Sequence, residues 1–170
     1  MSTAHQNLSS YDAATLPRAE GLRIGIVVSD WNVRVTGALL EGAVALLTAQ
    51  GIAAKDLIIR RVPGSFELAF AAQLLAEHTD VEAILCLGCI IQGETRHFDF
   101  VAQGVTQGIG RVSLDYHLPV IFGVLTTETL EQALERSGGR HGNKGTEAAV
   151  TALRMIDLQR SLEVDQQAGR

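Results

Sequence analysis

The chain is short of cysteine, carries no excess of positive charge and has no long hydrophobic run, and each shortage removes a class of function. Its two cysteines, Cys86 and Cys89, lie three apart in AILCLGCII. Such a pair can be redox-active or half of a metal site, but no second Cys or His pair completes the set. On a strand, residues three apart point to opposite faces, so both read as small buried packing residues. Lys and Arg total 14 against 19 Asp and Glu, a formal charge of -5, which leaves no electrostatic footprint for nucleic acid or an acidic membrane surface. No apolar stretch approaches the roughly 20 residues of a spanning helix. The opening MSTAHQNLSSYDAATLPRAE lacks the basic head and apolar block of a secretory signal. The expected compartment is the cytoplasm.

Familiar catalytic motifs are missing too. No G-x-G-x-x-G follows the first apolar run, so the dinucleotide fingerprint is absent. SGGRHGNKGT (137–146) has the wrong glycine-to-lysine spacing for a phosphate-binding P-loop and joins two helical segments. Neither G-x-S-x-G nor H-E-x-x-H occurs. Covalent catalysis and compact metal chemistry lose their support, which leaves acid–base work and anion binding.

What is there reads as one folded domain. Apolar residues make up 46% and charged residues 19%, as in globular proteins with a sizeable core. Residues 1–21 lack periodicity and read as a flexible N-terminal arm, 22–160 as the domain and 161–170 as a tail. Strand-like runs fall at LRIGIVVS (22–29), LIIRRVP (57–63), AILCLGCII (83–91) and PVIFGVL (119–125). Helical spacing links 35, 38, 39, 42 and 46, then 65–78 with Ser65 as N-cap. A third helix carries Val101, Val105, Ile109 and Val112. Thr127 and Glu128 open a fourth. After the glycine-rich break 137–145, a last helix carries Ala148, Ala152, Met155 and Ile156 on one face. This alternation predicts parallel strands, right-handed crossovers and helices on both sheet faces.

Ligands of such sheets sit beyond the carboxyl ends of the strands. Those ends read SDWN (29–32), VPGSFE (62–67), GCIIQGETRH (88–97) and FGVLTTE (122–128). The rim they predict holds two aromatics able to stack on a ring, Trp31 and Phe66, the carboxylate of Glu67, and His97. Gly93, Glu94 and Thr95 fall just before a helix, where free N–H groups and a hydroxyl suit phosphate. His97, two residues on, titrates near neutrality and can pass a proton; the alternative is a surface or capping histidine. Arg136, Arg140 and Lys144 form either a solvated basic patch or a phosphate grip, with glycines that let the backbone bend closely around a ligand or a partner subunit.

In SDWN, VPGSFE, GCIIQGETRHFDFV, PVIFGVLTTETLEQALERSGG and GNKGTEAA, in that order, the chain resembles the 6,7-dimethyl-8-ribityllumazine synthases of riboflavin biosynthesis. The resemblance implies a flavodoxin-like three-layer α/β/α sandwich with a four-stranded parallel sheet. It also implies condensation of 5-amino-6-(D-ribitylamino)uracil with 3,4-dihydroxy-2-butanone 4-phosphate, without metal or organic cofactor. By the same resemblance, Trp31 stacks on the pyrimidine with Asn32 beside it. Gly64, Ser65, Phe66 and Glu67 hold the ribityl chain and ring edge, and the backbone of Cys89, Ile90 and Ile91 meets the polar edge of the uracil. Glu94 and Thr95 face the phosphate-bearing substrate, and His97 transfers protons. Phe122, Arg136 and Lys144 come from a neighbouring subunit, with Arg136 on the phosphate and Glu147 orienting it. The chain departs from the family pattern at Trp31, where Phe or Tyr is usual, at Gln92 for arginine and at Arg140 for lysine. Implied partners are small-molecule substrates, a homopentamer or sixty-subunit icosahedral shell, and riboflavin synthase, with no nucleic acid or membrane. No insertion in 137–145 favours the shell; Pro17, unable to donate to an added strand, favours the pentamer. The alternative is a flavin-binding or cage protein of the same fold without synthase activity.

Overall fold

The computed structural model describes residues 11–12 and 15–168, with side chains through Asp165. β-Branched side chains fit a pleated, covered sheet, and the Ile- and Val-rich segment after Arg23 forms β1 (Ile24–Ser29), buried throughout. Then come α1 (Val33–Ala49), β2 (Leu57–Val62), α2 (Leu68–His78), β3 (Ala83–Ile91), α3 (His97–Asp115) and β4 (Val120–Thr127). The chain closes with α4 (Leu130–Leu134), a small ladder β5 (Ser137–Gly139) and β6 (Gly142–Asn143), and α5 (Lys144–Ala168). Strands β2-β1-β3-β4 form one parallel sheet in that order, the expected α/β sandwich.

Strand alternation divides the core in two. Ile26, Val28, Leu85, Leu87 and Cys89 face α1 and α5, packing on Leu39, Ala43 and Leu153. Val27, Ile84, Cys86 and Ile90 face α2 and α3, packing on Leu68, Ala72, Val105 and Ile109. The cysteines are unpaired, buried and on opposite faces, as their spacing predicts. Because β2 and β3 flank β1 on either side, the strand order reverses between β1 and β3, and there a crevice opens beyond the strand ends.

Several local expectations need correction. Ser65 does not cap α2: a short 3-10 turn over Ser65–Glu67 precedes the helix, the Glu67 carboxylate takes the Gly64 N–H at 2.9 Å, and the Ser65 hydroxyl turns inward. Thr127 does not open a helix, because it pairs with Ile91 in the sheet and its carbonyl accepts from Gln92 N–H at 2.8 Å. Thr129 is the cap, its hydroxyl accepting from Gln132 N–H at 3.2 Å. Met155 is exposed; Leu153, beside Ala149 and Ala152, takes the core position. α5 runs through most of the segment read as a tail. The segment read as an arm lies largely outside the described residues, but Leu16 and Ala19 within it are buried in the core.

Candidate active site

At the end of β1 the chain stays fastened to β2: Asp30 N–H donates to the Val62 carbonyl at 2.8 Å and Trp31 N–H to that of Pro63 at 3.1 Å. Asn32 then adopts φ 61° and ψ 45° at the start of α1, a left-handed conformation that asparagine tolerates better than most residues. Its side-chain Nδ2 donates to the Cys89 carbonyl at 3.1 Å. One side chain therefore ties the turn that presents Trp31 to the end of β3. The indole itself is 72% exposed, a large apolar surface left facing open space beside a crevice.

Phe66 projects from the turn after β2, 61% exposed. A methyl group on Gly104 of α3 would come within 2.9 Å of its ring, so glycine there lets the ring lie close to that helix. Beyond β3, Gly93 and Thr95 lead into α3, which begins at His97. No side chain caps that helix at Arg96; the Thr95 hydroxyl accepts from His97 N–H at 3.4 Å. A hydroxyl and an exposed imidazole thus share the corner where α3 begins.

These pieces line one groove of about 440 Å³. Trp31, Asn32, Gly64, Ser65, Phe66 and Glu67 line it from the segments that follow β1 and β2. Cys89, Ile90, Ile91, Thr95 and His97 line it from the end of β3 and the start of α3. Glu94 belongs to the same turn, though not to the lining. Gly93, Phe98 and Val101 also line the groove; positions 97, 98 and 101 share the helical spacing of one face, a signal that would have found the last two. Burial pushes the Cys89 thiol up to about 11 and Cys86 up to about 12, so neither supplies a thiolate near neutrality.

The remaining candidates lie elsewhere. Phe122 and Arg136 line a second hollow of about 780 Å³, along β4 and the flank of α3, with Phe98 shared between the two. Arg136 donates to the Gln132 carbonyl at 3.0 Å. Lys144 opens α5 and pairs with Glu147 across one turn, in neither hollow. Arg140 pairs with Glu135 at 3.0 Å. One chain therefore brings Trp31 and His97 to one groove, but not Phe122, Arg136 or Lys144. β4 is the sheet's outer strand, with no partner beyond it among the described residues.

Fold and groove together define a class: a parallel α/β protein with a groove beyond its strand ends, lined by exposed aromatics and a histidine. Residues 21–160 match the family profile described as 6,7-dimethyl-8-ribityllumazine synthase. The 6,7-dimethyl-8-ribityllumazine synthase of Porphyromonas gingivalis is 53% identical over 160 residues, covering 94% of this chain and 99% of that protein. Its namesake in Parabacteroides distasonis is 52% identical over 158 residues, 93% and 99% of the two chains. The one in Cytophaga hutchinsonii is 53% identical over 156 residues, 92% and 98%. The chain belongs to the 6,7-dimethyl-8-ribityllumazine synthase family.

Proposed function

We propose that the protein condenses 5-amino-6-(D-ribitylamino)uracil with 3,4-dihydroxy-2-butanone 4-phosphate, releasing 6,7-dimethyl-8-ribityllumazine, inorganic phosphate and water. The observation that carries this reading is the groove itself, lined by the exposed indole of Trp31 and by the exposed His97 at the start of α3. Trp31 stacks on the pyrimidine. The strand-end backbone of Cys89, Ile90 and Ile91 offers hydrogen bonds to its polar edge, and the Gly64–Glu67 turn holds the ribityl chain. Glu94 and Thr95, through backbone N–H groups and the Thr95 hydroxyl, face the phosphate-bearing substrate.

The amine of the pyrimidine attacks the ketone and water leaves as an imine forms. Phosphate is then eliminated, and the second amine closes the ring with loss of water. His97 is the proton carrier for these steps. Holding two reactants in register contributes as much as the proton transfers, since proximity alone can supply several kcal/mol.

Phe122, Arg136 and Lys144 complete the site from an adjacent subunit, with Arg136 on the phosphate. Support for this comes from their separation from the groove within one chain and from the open β4 edge. The working unit is then a homopentamer, free or built into a shell, acting in the cytoplasm and able to hand its product to riboflavin synthase. Mixing purified protein with both substrates and following lumazine fluorescence tests the reaction. Folded, assembled protein that forms no lumazine would refute it.

A further inference from the structure

Glycine inside a helix gives up more backbone freedom than any other residue and is disfavoured against alanine, so a glycine there calls for a reason. α3 holds three, Gly104, Gly108 and Gly110, and they differ in what a side chain would meet. A methyl group on Gly110 would meet nothing within 4 Å. On Gly108 it would lie 2.8 Å from the Cβ of Ala69 in α2, where the two helices pack. On Gly104 its nearest neighbours would all belong to Phe66, with Cε2 at 2.9 Å, Cδ2 at 3.6 Å and Cζ at 3.9 Å. One edge of that ring therefore rests on the bare backbone of α3. The ring stays 61% exposed and lines the groove, as do His97 and Val101. His97, Val101 and Gly104 stand at i, i+4 and i+7 along one face of the helix. Phe66 thus covers the next place in that row, where the helix offers no side chain of its own.

The contact leaves no slack. A methyl group at 104 would stand at 2.9 Å from the ring, where ordinary contact begins at 3.4 Å, and of the two partners the ring is the one that yields. The helix is held by its own ladder, and the turn that carries Phe66 by the bond from Gly64 N–H to Glu67, whereas the ring ends a side chain that turns about χ1 and χ2. We propose that Gly104 is a positioning residue: the room it leaves against α3 fixes where the Phe66 ring stands in the groove, and with it the fit of a flat heterocycle beside that ring. That the heterocycle is the pyrimidine or the lumazine made from it rests on the proposed synthase function; the seat of the ring on Gly104 does not.

Trp31 is the only tryptophan of the chain and lines the same groove, so quenching of its fluorescence reads occupancy without turnover. The full-length protein, titrated with 6,7-dimethyl-8-ribityllumazine, should bind about three- to tenfold more weakly after Gly104→Ala, the range that one aromatic contact spans. Gly110→Ala should leave the affinity unchanged. In a Phe66→Leu background the side chain ends about where Cδ2 stands. Gly104→Ala should there leave affinity unchanged and raise the melting midpoint by about 2–4 °C, as alanine does in a helix free of the clash. Affinity unaltered by Gly104→Ala, lowered as much by Gly110→Ala, or lost by the same factor in both backgrounds overturns the proposal. Should Gly104→Ala fail to fold, Phe66→Leu alone decides: it must bind more weakly, and unchanged affinity overturns the proposal. Unaltered protein that binds the lumazine but never forms it sinks the synthase function and leaves the inference standing; protein that does not bind it overturns both.

Discussion

His97 has a backbone donor bond to Thr95 and lines the groove, so its removal takes away the proposed proton carrier and little structure. His97→Ala should lower kcat by about a hundredfold while leaving measurable turnover, because positioning persists; loss of all turnover in a folded, assembled variant would contradict this. Asn32 separates backbone from side chain. Glycine accepts φ 61° without strain and alanine does not, yet both lose the bond to the Cys89 carbonyl. Asn32→Ala should therefore be less stable than Asn32→Gly by about 1 kcal/mol in urea denaturation. Both should raise KM for the pyrimidine, since the link between Trp31 and β3 is cut in each. The two thiols report burial directly. Their folded values, about 12 for Cys86 and about 11 for Cys89, stand above the ordinary 9.0. The stability they carry is full below pH 9 and is lost as pH rises through the folded values. Ellman's reagent at pH 8 should leave both untouched until denaturant is added; rapid labelling of the native protein would show that the strand opens.

At the scale of elements, hydrophobic period and Gly or Pro punctuation mark the four long strands and the main helices, because burial on both faces leaves continuous apolar runs such as AILCLGCII. Where local pattern misleads, a longer-range partner decides. Thr127 looks like a cap until its pairing with Ile91 is known, and Ser65 looks like one until Gly88 is seen beneath it. The stretch 137–145 reads as a loop, but within the chain its glycines fit α5 onto α1. Asn143 Nδ2 donates to the Ala38 carbonyl at 2.9 Å, and its Oδ1 accepts from Gly145 N–H at 2.8 Å and Thr146 N–H at 3.2 Å. An asparagine before K-G-T-E is a start signal legible in the sequence; its bond to α1, over a hundred positions away, is not. A methyl group on Gly145 would lie 1.9 Å from the Leu39 carbonyl oxygen, and backbone cannot step aside as a side chain can. Gly145→Ala should cost about 3 kcal/mol and lower the melting midpoint by roughly 6–12 °C, whereas Gly37→Ala, with open space around it, should stabilise α1 slightly.

For the whole molecule, the question is where the cations meet the groove. The family resemblance assigns Arg136 and Lys144 to a neighbour, and nothing in the periodicity of one chain can tell a neighbour's residue from its own. In the fold, Arg136 lines the hollow beside β4 and His97 the groove at the switch point, on either side of Phe98. A head-to-tail ring, in which each chain lays its hollow side against the next chain's groove, joins the two in every interface. Such a ring allows complementation. His97→Ala and Arg136→Ala subunits are each impaired, but in a mixed ring some interfaces take His97 from one kind and Arg136 from the other. With random assembly from equal amounts, each interface is intact with a chance of one half times one half, so roughly a quarter of wild-type activity should return. The measurement is turnover after joint unfolding and reassembly, with light scattering to show that rings have formed. If each chain completed its own site, every site would keep one defect, and the mixture would show no more than the average of the two variants.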